Sequence, residues 1–96
     1  GLLYLVDGFN RVRRLESDGV LKTIAGSTRI APANGLLGDG GPAREAALSN
    51  PRQVVPLRDG KIWIRDLGGR HLREIAPDGR IRTVETSFDT GISILM

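Results

Sequence analysis

The chain writes one short block of apolar stretches and turns twice, and this self-similarity limits the fold more than any single motif does. A repeated unit cannot bury its apolar face alone and has to stack on its neighbour. The first copy reads Leu3-Tyr4-Leu5-Val6-Asp7, then Arg11-Val12-Arg13-Arg14-Leu15, then Asp18-Gly19-Val20-Leu21-Lys22-Thr23-Ile24. The second reads Ile62-Trp63-Ile64-Arg65-Asp66, then His71-Leu72-Arg73-Glu74-Ile75, then Asp78-Gly79-Arg80-Ile81-Arg82-Thr83-Val84. Asp7 and Asp66 are 59 apart (66−7), whereas Asp18 and Asp78 are 60 apart (78−18), so the first copy lacks one residue between its first and second stretches. A one-residue change inside a strand would turn its side chains to the opposite face, which places the deletion in the turn Gly8-Phe9-Asn10.

Each stretch is short, rich in Val, Ile, Leu and Thr, and bounded by Gly, Asp, Asn or Pro, the signature of strands joined by tight turns. Asp18-Gly19 and Asp78-Gly79 fall between apolar runs, where Gly19 and Gly79 can supply the positive φ of a hairpin turn. Consecutive strands are therefore antiparallel neighbours. A further strand, residues 53–57, joins the second copy through Arg58-Asp59-Gly60, giving a four-strand unit of 53–57, 61–65, 71–75 and 80–84. Residues 2–6 and 53–57 are apolar in both directions, which predicts sheets covered on both faces, as in the blades of a β-propeller. An eight-strand sandwich is the structural alternative, and it would show cleaner alternation. The fold class expected is all-β, about two blades of four antiparallel strands in an incomplete ring.

The residues Tyr4-Leu5-Val6-Asp7-Gly8-Phe9-Asn10-Arg11-Val12-Arg13-Arg14-Leu15, and Ile62-Trp63-Ile64-Arg65-Asp66 with Leu72-Arg73-Glu74-Ile75-Ala76-Pro77-Asp78-Gly79, resemble NHL repeats. The loop Gly38-Asp39-Gly40-Gly41-Pro42-Ala43, followed by Ala46-Ala47-Leu48-Ser49-Asn50-Pro51, is similar to the segment that joins such blades in bacterial and teneurin-like members. The resemblance implies a propeller of about six blades used as a protein or glycan interaction scaffold, extracellular, periplasmic or at the cell surface. It divides the chain into a blade lacking its first strand (1–26), an inter-blade loop with a short helical turn (27–50), a second blade (51–85) and the start of another (86–96). Some relatives of this family bind RNA. Others, lactonase-like or lyase-like, are enzymes that gather ligands from several blades, so a fragment of such an enzyme would carry its active site elsewhere.

The loop Gly38-Asp39-Gly40-Gly41-Pro42-Ala43 formally fits G-x-G-x-x-A, the dinucleotide fingerprint, but that motif works only between a strand and a full crossover helix. The local pattern offers neither, so the glycines read as a backbone device leading to Pro42 at the first position of a helical turn through Leu48. Arg13 shares a strand face with Leu15, and Arg73 with Ile75, so each guanidinium is expected to be partly buried and to need a carboxylate. Asp7 and Asp66 are the candidates. Tyr4 and Trp63 hold equivalent places and are expected to pack between blades. The single histidine, His71, has no partners at the spacing of a zinc site or a Ser-His-Asp triad, and reads as a strand residue near a blade edge. No catalytic, metal or cofactor site is assigned, and the chain is expected not to be an enzyme.

Composition narrows the partner classes. At 96 residues with net charge +3, the basic excess raises nucleic acid as a partner, with Arg11, Arg13, Arg14, Lys22, Arg70, Arg73, Arg80 and Arg82 as the candidate groove. Aromatic residues are only 4%, too few for the stacking platforms of single-stranded sites, so RNA is not favoured over a protein or glycan. No apolar run reaches the roughly 18 residues of a membrane helix, and without cysteine the redox compartment is not written in the sequence. The chain starts in a strand pattern without Met, as a fragment would, and Gly91-Ile92-Ser93-Ile94-Leu95 reads like the first strand of another blade. A homo-oligomer of about three chains would close a six-bladed ring if that tail completed a neighbour's sheet.

Overall fold

The computed structural model of the chain describes residues 3–8, 10–27, 38–66 and 71–85. Among these residues the chain forms two antiparallel sheets. The first holds β1 (Leu3–Val6), β2 (Val12–Leu15) and β3 (Leu21–Ala25) in that order. The second holds β4 (Gln53–Pro56), β5 (Ile62–Asp66), β6 (His71–Ile75) and β7 (Ile81–Glu85), again in chain order. The fold is all-β, with one 3-10 turn at Ala43–Glu45. No described helix is long and apolar enough to cross a membrane.

The hairpins show how a repeated sequence becomes a repeated structure. In each of three turns an Asp carboxylate accepts the amide of the residue two positions on: Asp18 from Val20, Asp59 from Lys61 and Asp78 from Arg80. The following glycine sits in the left-handed region, Gly19 at φ 88° and Gly79 at φ 89°, where a Cβ is disfavoured. With that local geometry fixed, the registers coincide. Arg13 pairs with Thr23 and Arg73 with Thr83, and both sheets carry an irregularity at the same place, between Val12 and Arg13 and between Leu72 and Arg73. Offsets of 60 in sequence are thus equivalent positions in space.

The sheets pack face to face over one apolar core of Val12, Ala25, Ala43, Ala46, Leu48, Ile64, Ile75 and Ile81, flanked by Val6, Ile24, Val54 and Ile62. Strand alternation explains the choice of residues. Ile62, Ile64, Arg73, Ile75, Ile81 and Thr83 fall on one face of the second sheet, and that face meets Val6, Val12 and Ile24 of the first. Residues 40–43 then act as a strap. The Gly40 amide donates to Ile81 O (2.7 Å) and the Ile81 amide to Gly41 O (3.0 Å), so the strap covers the outer edge of β7. Ala43 donates to Gly79 O (2.9 Å) and accepts from the Gly26 amide (3.0 Å), joining both sheets through one residue.

Two expectations are corrected. Pro42 precedes the helical turn rather than opening it, because its bridge to Arg80 holds it extended (ψ 135°), and the turn ends at Glu45 instead of running to Leu48. Nor are all sheet faces covered. Leu3, Leu15 and Leu21 form one cross-strand row of the first sheet and are 59%, 38% and 44% exposed, although their equivalents Ile62, Ile75 and Ile81 line the core. Leu2, Phe9, Arg70, residues 28–37 of the inter-blade loop and the start of a further blade (86–96), with its strand 91–95, lie outside the described residues.

Candidate functional site

The densest polar arrangement is built around Arg73. β6 is an interior strand of its sheet, and Arg73 points from it into the contact between the sheets, where its side chain is wholly buried. Nη2 donates to Asp39 Oδ1 at 2.7 Å, and Nη1 donates to Ala47 O at 2.9 Å with Asp66 Oδ2 at 3.4 Å. The carboxylates are themselves held. Asp66 Oδ1 accepts the Ser49 amide (2.8 Å), and Asp39 Oδ2 accepts the Thr83 amide (3.1 Å). A charge removed from water is tolerated only when paired and hydrogen-bonded, and here the loop 38–49 supplies much of that pairing.

The loop reaches this position because its glycines permit it. Gly38, at φ 100°, lies against Ala46, whose Cα would stand 2.6 Å from any added Cβ. Gly40 takes φ 88°, and Gly41 accepts the Ile81 amide without needing a positive φ. The small side chains of Ala43, Ala46 and Ala47 let the backbone approach closely enough for the Ala47 carbonyl to meet a guanidinium. Asp39 as the second carboxylate of Arg73 is the partner that the sequence reading missed. Its signal was a lone acidic residue inside a glycine run.

The equivalent place in the first sheet is simpler. Arg13 Nε donates to Asp7 Oδ2 at 3.0 Å, and both side chains keep access to solvent, 27% and 20%. Asp7 also accepts the Arg11 amide (3.2 Å), which closes the turn after β1. No described carboxylate stands to Arg13 as Asp39 stands to Arg73.

Tyr4 and Trp63 share a repeat position but meet different surroundings. Tyr4 lines a groove of about 490 Å³ between the sheets, together with Arg14, Lys22, Arg44, Ile62 and Arg80. Two of these four cations are engaged. Arg14 grips Glu16 through two nitrogens (3.0 and 2.9 Å), which raises its pKa and lowers that of Glu16, and Arg80 donates to Gly40 O (2.8 Å). Trp63 falls on the opposite face of its sheet, beside Val55, Leu57 and Leu72, with its indole N–H on Glu74 Oε2 (2.8 Å). That bond, aided by Arg82, holds Glu74 below the usual carboxylate pKa although burial acts in the other direction. His71 is buried at the start of β6, an interior strand rather than a blade edge. Among the described residues no three of His, Cys, Asp and Glu are gathered to hold a metal ion.

No family model matches the chain. It is similar to teneurin-4 of Homo sapiens and of Mus musculus, 28% identical over 85 residues in each case, covering 78% of this chain. Mouse teneurin-1 is 29% identical over 86 residues, covering 79%. The chain spans about 3% of the length of these relatives, so the likeness concerns one small part of each of them.

Proposed function

We propose that the chain is a segment of an NHL-type β-propeller, two successive blades, and that it works without catalysis as a scaffold for a protein or glycan partner outside the cytoplasm. The observation that carries this reading is the pair of sheets in identical register, stacked face to face, with the first presenting outward the same row that the second buries. A unit that exposes the face its copy uses for packing is suited to a head-to-tail series, and in closed form such a series is a ring. The teneurin likeness across 78% of the chain supports the same family and a cell-surface setting.

The test is the solution mass of the 96-residue chain by light scattering as concentration rises. Association is the expected result, and Leu3→Glu or Leu15→Glu on the exposed row abolishes it. A chain that stays monomeric throughout counts against this face as a packing surface. RNA is the second reading, favoured by Lys22 and Arg44 in the groove. Salt-sensitive fluorescence polarisation with a single-stranded oligonucleotide would move the conclusion there.

A further inference from the structure

The duplication places two equivalent edge sites in the chain, and among the described residues one of them is filled. In the second sheet the outer edge of β7 is covered by the strap: Ile81 exchanges hydrogen bonds with Gly40 and Gly41, Gly79 O accepts from Ala43, and the Thr83 amide reaches Asp39. Asp39 turns its other oxygen to Arg73. In the first sheet the corresponding groups are Leu21, Gly19, Thr23 and Arg13. Because the registers and their irregularities coincide, the Leu21 and Thr23 amides point away from β2 as the Ile81 and Thr83 amides point away from β6. Among the described residues no hydrogen-bond acceptor meets either amide from outside the sheet.

Arg13 differs from Arg73 in the same sense at the side-chain end. Its Nε is committed to Asp7, its two terminal nitrogens have no described partner, and it keeps 27% exposure where Arg73 has none. We propose that the outer edge of β3 is a docking site for an extended Gly-Asp-Gly-Gly-Pro-type segment. The backbone of that segment adds to the β3 edge at Leu21, and its aspartate bridges the Thr23 amide and the Arg13 guanidinium. The occupant is defined by chemistry already present at the twin site. Glycines allow close backbone approach, one carboxylate has two donors to satisfy, and an exposed proline sits within the pairing, opposite Arg80 and before the Ala43–Gly79 bond. Edge addition of an extended peptide takes its affinity from main-chain bonds and its selectivity from such a side-chain contact. The inference does not need a closed ring, since it concerns one strand edge and one arginine.

The probe is a capped synthetic peptide with the sequence of residues 38–50, titrated into the isotope-labelled 96-residue chain and followed by amide NMR. Saturable shifts are expected at Leu21 and Thr23. Changing the aspartate of the peptide to asparagine weakens binding by about tenfold or more, as loss of a charge-assisted contact does. This arm leaves the folded chain untouched. Arg13→Gln in the chain has the same effect on the unaltered peptide. The proposal is overturned if millimolar peptide gives no saturable shift. Equal binding by the asparagine peptide or by the Arg13→Gln chain also overturns it, as do shifts confined to Ile81 and Thr83, where the peptide would merely compete with the chain's own strap.

Discussion

Replacing Arg73 by Met removes a cation from between two carboxylates and separates buried from exposed ion pairing within one small chain. Asp66 is as inaccessible as Arg73 itself, and in the variant it would keep the Ser49 amide but lose its positive partner. Removing one member of a buried pair costs about 3–5 kcal/mol, because the remaining charge stays desolvated. A chain of 96 residues has a total stability of only about 5–14 kcal/mol at ordinary values per residue. At roughly 4–8 °C per kcal/mol the melting temperature falls by about 12–40 °C. Arg13→Met is the internal control: its pair is as short, 3.0 Å, but solvent-accessible, and pairs of that kind contribute about 0–1 kcal/mol. Urea unfolding followed by the fluorescence of Trp63, the single tryptophan, gives both numbers with one probe. The double variant Arg73→Met with Asp66→Asn keeps an acceptor for Ser49 and removes the buried negative charge that Arg73 had faced, so it should be more stable than Arg73→Met alone. The reasoning is refuted if the two arginine variants lose similar stability, or if Asp66→Asn gives no recovery.

Two further outcomes follow from the loop and from the tryptophan face. Gly38→Ala combines a positive φ with backbone overlap at Ala46 and should cost roughly 2–5 kcal/mol, whereas Gly19→Ala, with open space around its Cβ position, should cost about 1–2 kcal/mol by thermal melting. Glu74 has its folded pKa depressed by the Trp63 N–H, so the stability it contributes is present above the ordinary glutamate value of about 4.3 and is lost as pH falls through the lower folded value. Trp63→Phe removes that donor, and urea midpoints read by circular dichroism should fall less steeply between about pH 4.5 and 3 than in the parent chain. An unchanged pH slope would count against this account.

How much of this was legible in the sequence depended on whether a feature was local. Asp-Gly between apolar runs specifies a hairpin through a carboxylate–amide bond two residues away and a left-handed glycine, so strands and turns could be read from neighbours alone. The offset of 60 then carried register from one copy to the other. Arg73 was recognisable as a buried cation from its place beside Ile75 on an apolar face. Its partner Asp39 was not, because that contact spans 34 residues and depends on where the strap sits against β7. Tyr4 and Trp63 illustrate the other limit. Equivalent positions have the same direction in their sheets, but whether they meet a neighbour depends on which sheet comes next, and that lies outside the repeat itself.

Asp39 also sets the direction in which the units depend on each other. One carboxylate answers two needs of the second sheet, the charge of Arg73 and the outward amide of Thr83, and it reaches them from a loop that follows the first sheet. Nothing in the reverse sense is seen among the described residues: the first sheet gains a packing face and the Gly26–Ala43 bond, but no charge neutralisation from the second. Stability in such a series is a sum of unit and nearest-neighbour terms, and here the neighbour term is polar along the chain, the loop 38–49 completing the sheet after it. The contrast between the two arginines expresses this polarity in one observable. With a strap in place the guanidinium is sealed from water; without one it stays open on the same register and the same fold.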